Sequence, residues 1–316
     1  MIRLRTVMFF GGVVAVASFS GALICGSSMA SAPQVVVTLK PLHSLVASLM
    51  KGRGKPVLLL EGALSPHTAQ LRPQQLVFLK KADLVVWVGP TFETFLSKSI
   101  EALSEGRSLP LLREEDLIRL PQGEAPCCSE HHEAGFVHQH DPDFLWDGHL
   151  WMSPLNGIMV ARIVAKHLGR LDPEGRSVYE DNLLRLEKSL RALDEEIALK
   201  LAPFKNRDFL VAHQAYAYFV DRYHLRRPKA LLMHPEQSIR PQERRMLSQP
   251  LKGMCVFFEP QLRVSLPKAE DRVVSNGGIV SELDPLGAHL PEGPGMFEAL
   301  LRQCTQAMVT CFSQKR

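Results

Sequence analysis

The stretch from Glu174 to Ala202 reads EGRSVYEDNLLRLEKSLRALDEEIALKLA. It holds no proline, and Val178, Leu183, Leu186, Leu190, Leu193, Ile197 and Leu201 recur mostly at steps of three and four, which makes one apolar stripe along one helix. Asp172-Pro173 before it and Pro203 after it are start and stop signals. At about 1.5 Å per residue the helix spans about 43 Å, the width of a whole domain. Such a helix is a rigid strut, so the segments on either side of it decide the fold.

On both sides, short and nearly continuous apolar runs alternate with helical patterns. Before the helix the runs are Val35 to Leu39, Val57 to Leu60 and Leu84 to Val88, with helical segments at Leu42 to Met50 and Pro73 to Lys81. After it come Phe209 to Ala212, Ala230 to Leu232, Cys255 to Phe258 and Arg272 to Val274. Continuously apolar strands between helices imply parallel sheets covered on both faces. The expected fold class is therefore α/β: two parallel-sheet lobes joined by one long rigid linker helix. The expected division is a targeting segment 1–30, an N-terminal lobe 31–172, the linker helix 173–203 and a C-terminal lobe 204–316.

A chain of 316 residues with 46% hydrophobic and 22% charged residues matches a packed soluble protein and excludes a collagen, a coiled-coil rod or a polytopic membrane protein. Removing Arg3 and Arg5 lowers the formal charge from +4 to +2, too weak a bias for a nucleic-acid partner. These two arginines precede an apolar stretch from Val7 to Ile24 that glycines and serines dilute, and Ser28-Met29-Ala30 follows. The pattern is that of a cleaved secretory signal peptide. Cleavage after Ala30 is expected, because a cut after Ala32 would place Pro33 beside the scissile bond. The apolar run lies at the lower limit for a membrane span, and the bulky Ile24 argues against lipid attachment at Cys25.

Export would leave Cys127, Cys128, Cys255, Cys304 and Cys311 in an oxidising compartment, an odd set with at least one thiol over. Cys304 and Cys311 stand about 10 Å apart along a predicted helix, too far to bond each other. Cys255 opens the buried-strand pattern Cys255-Val256-Phe257-Phe258, and a bond from it to the C-terminal helix is expected, its partner left open.

One stretch fits neither lobe. Residues Pro121 to His140 lack periodicity and read as an exposed loop. Its composition is metal-seeking: His131, His132, His138 and His140, four of the chain's twelve histidines, stand with Cys127, Cys128, Glu130 and Glu133.

In open α/β sheets, ligands bind beyond the carboxyl ends of the strands. Four residues occupy such places or flank a helix start. His67 follows the second apolar run, His149 precedes the Ser153-Pro154 helix start, His213 ends the run Phe209 to Ala212, and Asp284 sits in the turn Leu283-Asp284-Pro285-Leu286-Gly287. Each alone reads equally as a structural histidine or a turn former. Three imidazoles and one carboxylate together match the four-coordinate, nitrogen-rich preference of Zn²⁺. The zinc-protease helix pattern, the glycine-rich phosphate loop and the nucleophile elbow are absent.

The motifs Val37-Thr38-Leu39-Lys40-Pro41-Leu42-His43, Ser65-Pro66-His67 with Leu71-Arg72-Pro73, Ala82 to Gly89, His149-Leu150-Trp151-Met152-Ser153-Pro154, Ala212-His213-Gln214-Ala215-Tyr216 and Leu283 to Gly287 come in one order. Together they resemble the periplasmic zinc-binding, ZnuA-type (cluster A-I) solute-binding proteins of bacterial ABC importers, from about Val35 to Cys311. The resemblance implies two α/β lobes on a rigid helix with a metal in the cleft between them. It implies capture of Zn²⁺ in the periplasm and its delivery to an inner-membrane ABC permease with a cytoplasmic ATPase, by a monomer that is not an enzyme. His67, His149 and His213 fall where the family has its metal histidines, and Asp284 matches the aspartate that completes the shell in many relatives. Some zinc-specific members use a glutamate beside the first histidine or a water instead; here that neighbour is Pro66. Manganese-type relatives carry glutamate in place of the third histidine, so His213 favours zinc. The loop 121–140 corresponds to the His-rich loop of the zinc branch, and Cys255 with Cys311 matches a disulfide of that branch, while Cys127, Cys128 and Cys304 are departures. The alternatives are a secreted zinc-dependent hydrolase or lyase built on a three-histidine site, and an adhesin.

Overall fold

The computed structural model describes Met8 and residues 31–62, 65–67, 69–122, 146–232, 239, 241–262, 266 and 268–314. The expected signal segment apart from Met8, the loop histidines His131, His132, His138 and His140, and Cys127 and Cys128 lie outside the described residues.

Before the long helix, the chain forms β1 (Val35–Val37), α1 (Lys40–Leu49), β2 (Val57–Leu58), α2 (Pro73–Lys81), β3 (Leu84–Trp87), α3 (Ser97–Glu101), β4 (Ser108–Pro110) and α4 (Pro154–Leu171). The four strands make one wholly parallel sheet in the order β2-β1-β3-β4. After one 3₁₀ turn, α5 (Arg176–Leu201) crosses to the second half. There β5 (Phe209–His213), α6 (Ala217–Arg222), β6 (Lys229–Leu232), α7 (Pro241–Leu247), β7 (Cys255–Phe258), α8 (Ala269–Ser275), β8 (Ile279–Glu282) and α9 (Met296–Phe312) follow. The second sheet, β6-β5-β7-β8, is again wholly parallel.

Alternate residues of each strand serve different cores, as the two-residue period requires. In the first sheet Val35, Val37, Leu84 and Val86 face a central core, while Val36, Val85 and Trp87 face an outer one. In the second sheet Phe209, Val211, Cys255 and Phe257 join the same central core, and Leu210, Ala212, Val256 and Phe258 face a separate outer cluster. The central core is thus continuous from sheet to sheet. Its filling comes from α1, α4, α5 and α9, with the α5 stripe supplying Leu186, Leu190, Leu193, Ile197 and Leu201. A helix buried along one stripe in a shared core holds the two sheets rigidly, where an exposed linker would let them swing.

The strand assignments need two corrections. Arg272 to Val274 is helical and belongs to α8; Val273 is fully buried while Val274 is 62% exposed, a one-sided face that a strand between two cores would not show. The eighth strand is Ile279–Glu282, whose residues are all half-buried, so it lacks the continuous apolar run of a central strand. The edge strand Ser108–Pro110 escaped for the same reason, carrying one buried apolar residue and a proline that only an edge position tolerates.

Cys255 on β7 and Cys311 on α9 are joined by a disulfide, with Cα atoms 6.1 Å apart. Cys304, two turns earlier on α9, is a buried free thiol. Its Sγ lies 3.5 Å from the carbonyl of Asp284, and burial pushes its pKa well above the ordinary thiol value.

Candidate metal centre

The carboxyl ends of β2 and β5 and the start of α4 meet at one place. His67 leaves the turn after β2, His149 stands four residues ahead of the Ser153 N-cap of α4, and His213 is the last residue of β5. Their ring centroids are 5.6 Å (His67 to His149), 5.4 Å (His67 to His213) and 5.0 Å (His149 to His213) apart. One ring nitrogen from each lies within 4.8 Å of the other two, and no other group of three potential metal ligands forms among the described residues.

Two of the rings are held by carboxylates. Asp147 Oδ1 accepts hydrogen bonds from His149 Nδ1 at 2.8 Å and from the His149 backbone N–H at 2.8 Å. Glu259, just past the end of β7, accepts from His213 Nδ1 at 3.2 Å. A proton fixed on Nδ1 leaves the Nε2 lone pair for a metal, and a carboxylate behind the ring raises the basicity of that lone pair. In keeping with this, His213 Nε2 is buried with no hydrogen-bond partner among the described residues.

Aromatic rings wall the third side. Phe92 packs edge-on against His67 at 4.5 Å and His149 at 5.0 Å between centroids, and Trp151 lies 5.4 Å from His149. Gly148 permits this approach: a Cβ there would fall 2.1 Å from the Phe92 ring. The space among these groups is a cavity of about 20 Å³, lined by the three histidines with Ser65, Pro66, Trp151, Glu259, Gln261, Leu262, Pro285 and Leu286. A single water needs about 10–15 Å³, so the space among the rings suits an ion or a water.

Asp284 is not part of the three-histidine group. Its Oδ1 accepts from Leu286 N at 2.9 Å and Gln261 Nε2 at 3.1 Å, and its Oδ2 accepts from Ala288 N. The carboxylate therefore braces its own loop, and among the described residues Gln261 is its side-chain link toward the cavity.

The sequence reading passed over Asp147 and Glu259. Glu259 directly follows Phe258 at the carboxyl end of β7, where the strand-end rule would have found it. Asp147 shows itself only as an Asp two residues before a candidate histidine, the spacing at which a carboxylate reaches both backbone and ring.

The family model described as zinc-uptake complex component A, periplasmic, matches residues 35–311. This chain belongs to that family. The high-affinity zinc uptake system protein ZnuA of Brucella suis biovar 1 (strain 1330) is 33% identical over 320 residues, covering 92% of this chain and 95% of the relative. The protein of the same description from Yersinia pestis is 29% identical over 88% of this chain and 90% of its own. A crystal structure of ZnuA superposes with a TM-score of 0.72 at 26% identity, covering 90% of this chain and 100% of that one. A zinc-bound ZnuA deletion mutant shares the fold, with a TM-score of 0.73 at 24% identity and the same coverage.

Proposed function

We propose that this ZnuA-family chain is the high-affinity zinc-binding component of an ABC transporter, capturing Zn²⁺ in the periplasm and passing it to an inner-membrane permease driven by a cytoplasmic ATPase. The observation that carries this reading is the meeting of three imidazoles from both sides of α5, two of them oriented by carboxylates, around an ion-sized cavity. His67, His149 and His213 hold the metal. Asp147 and Glu259 offset its +2 charge from behind the rings, so Asp284 need not touch the ion to do so. Against the hydrolase or lyase stands the family to which the chain belongs, zinc-uptake complex component A. Export through a cleaved signal peptide is supported by Arg3, Arg5 and the apolar stretch after them. Among the described residues no helix is long and apolar enough to cross a membrane. The lobe boundaries near residues 172 and 203 are supported by the ends of α5, and the working form is proposed to be a monomer.

The test is zinc binding by chelator competition on the purified mature protein. His67→Ala, His149→Ala and His213→Ala each weaken the tight site severely, whereas His224→Asn, which keeps a residue tolerant of the left-handed backbone there, leaves it intact. Wild-type affinity in two of the three alanine variants overturns the assignment. The loop histidines His131, His132, His138 and His140 are proposed to form an accessory collector. Deleting residues Glu124 to His140 then removes weak zinc equivalents in calorimetry and leaves the tight one.

A further inference from the structure

Beside the three histidines, the cavity is lined by Gln261, whose hydrogen bonding is half complete among the described residues. Its Nε2 donates to Asp284 Oδ1 at 3.1 Å, while its Oε1 is buried and has no hydrogen-bond partner among the described residues. A buried amide oxygen without a donor costs free energy unless a donor arrives with the ligand. The bond to Asp284 also fixes the amide's orientation, since a carboxylate can only accept and the NH₂ group must face it. The oxygen is therefore the end left to serve the cavity.

Three histidines leave a four-coordinate zinc one open position. The group normally found there is water, a strong hydrogen-bond donor once a dication polarises it. We propose that water fills the fourth position and donates to Gln261 Oε1, with Asp284 as the positioning residue that aims the amide. The proposal rests on the three-histidine reading of the site. It assigns Asp284 a place behind Gln261 and makes Gln261 a determinant of how tightly this chain holds its metal.

The experiment compares wild type, Gln261→Met, Gln261→Glu and Asp284→Asn by zinc–chelator competition and by the visible spectrum of cobalt-loaded protein. Gln261→Met keeps the side-chain length and removes the acceptor; zinc affinity falls about tenfold, the scale of one lost hydrogen bond to a polarised donor. Its cobalt bands shift while the unfolding midpoint of the metal-free protein holds. Gln261→Glu keeps an acceptor for the water but cannot donate to Asp284, so its loss of affinity is smaller than that of Gln261→Met and its aim is lost. Asp284→Asn gives a smaller loss and a spectrum that keeps the wild-type band positions, because no coordinated atom changes. Gln261→Met with wild-type affinity and spectrum overturns the proposal. So does an Asp284→Asn spectrum showing loss of an anionic ligand, which would put that carboxylate on the metal. Failure of the three-histidine reading is separate: it appears as tight zinc binding that survives His149→Ala, whatever Gln261 does.

Discussion

One oxygen of Asp147 receives two hydrogen bonds from His149, one from the ring and one from the backbone. A residue so bound has its ring plane, tautomer and chain position set by a single carboxylate. Asp147 is itself placed from across the molecule, since the Tyr218 hydroxyl of α6 donates to its carbonyl at 2.7 Å. Asp147→Asn keeps the shape but turns the ring contact into one with a neutral amide, which can present NH₂ to Nδ1 and favour the wrong tautomer. Zinc affinity is expected to fall about 10- to 100-fold, the usual cost of losing a carboxylate behind a metal histidine. Chelator competition measures it, and a circular-dichroism melt of the metal-free protein should change little.

Gly148 makes a steric prediction at the same place. Because a Cβ at this position would overlap the Phe92 ring, Gly148→Ala forces the ring away from His67 and His149 or shifts the His149 backbone. Either movement loosens two of the three metal ligands together. Zinc affinity should drop by more than the loss in fold stability suggests, and near-ultraviolet circular dichroism should report the displaced aromatic cluster.

The loop that carries Asp284 is fastened to the first half of the chain by Lys40. Its buried ammonium donates to the carbonyls of Gly287, Ala288 and Leu290 at 3.0–3.1 Å, using all three of its protons, and Trp151 Nε1 adds a bond to Pro285 O at 2.7 Å. Lys40→Met fills similar volume but leaves three carbonyls without that donor. A loss of about 2–4 kcal/mol in urea unfolding is expected, with faster amide exchange at Leu286 and Ala288 than in wild type. Unchanged exchange in that loop would show that Lys40 is not what fastens it.

How far this arrangement could be read from the chain depended on how much of each signal was local. The α5 stripe and the buried strands were legible because burial on one face or on both leaves a periodic apolar trace. His67, His149 and His213 were legible as single residues at strand ends or a helix start, but their convergence depends on long-range packing, which no spacing encodes. Asp284 shows the opposite limit. An Asp before Pro-Leu-Gly has a structural use as good as its metal use, and the bonds its oxygens accept from Leu286, Ala288 and Gln261 leave no trace in local spacing. Lys40 stood in the first motif of the resemblance but gave no sign of this role, because a lysine between a strand and a helix looks solvent-facing until the carbonyls of a loop some 250 residues away close over it.

The disulfide between Cys255 and Cys311 ties β7 to the last helix turn across 56 residues of chain. Closing a loop of that length is worth about 4 kcal/mol on the chain-entropy model. Cys255→Ser should lower the unfolding free energy by up to that amount, and should leave Cys304 reacting with thiol reagents only after unfolding, since its thiol is buried. Slow, unfolding-limited modification measured by mass spectrometry supports this; rapid modification in the folded state contradicts it.

Glu93 supplies the pH dependence. Its carboxyl is fully buried one residue beyond Phe92, its Oε2 accepts the Val88 N–H at 2.6 Å, and burial raises its pKa from 4.5 to about 7. A carboxyl whose pKa is higher folded than unfolded binds more protons in the native state over the interval between the two values. Its contribution is therefore fully present below about pH 4.5, shrinks as pH rises, and is gone above about pH 7. Wild-type stability should accordingly decline across that window by up to about 3 kcal/mol on this group's account. In Glu93→Gln the amide cannot ionise and its oxygen can still accept from Val88, so that part of the decline disappears and the variant gains on wild type as pH rises. Urea unfolding of both proteins at pH 4, 5.5, 7 and 8 measures the difference. Parallel curves across that range would mean that the carboxyl is ionised in the fold already at pH 5, and that the Val88 N–H and its neighbours compensate its charge in full.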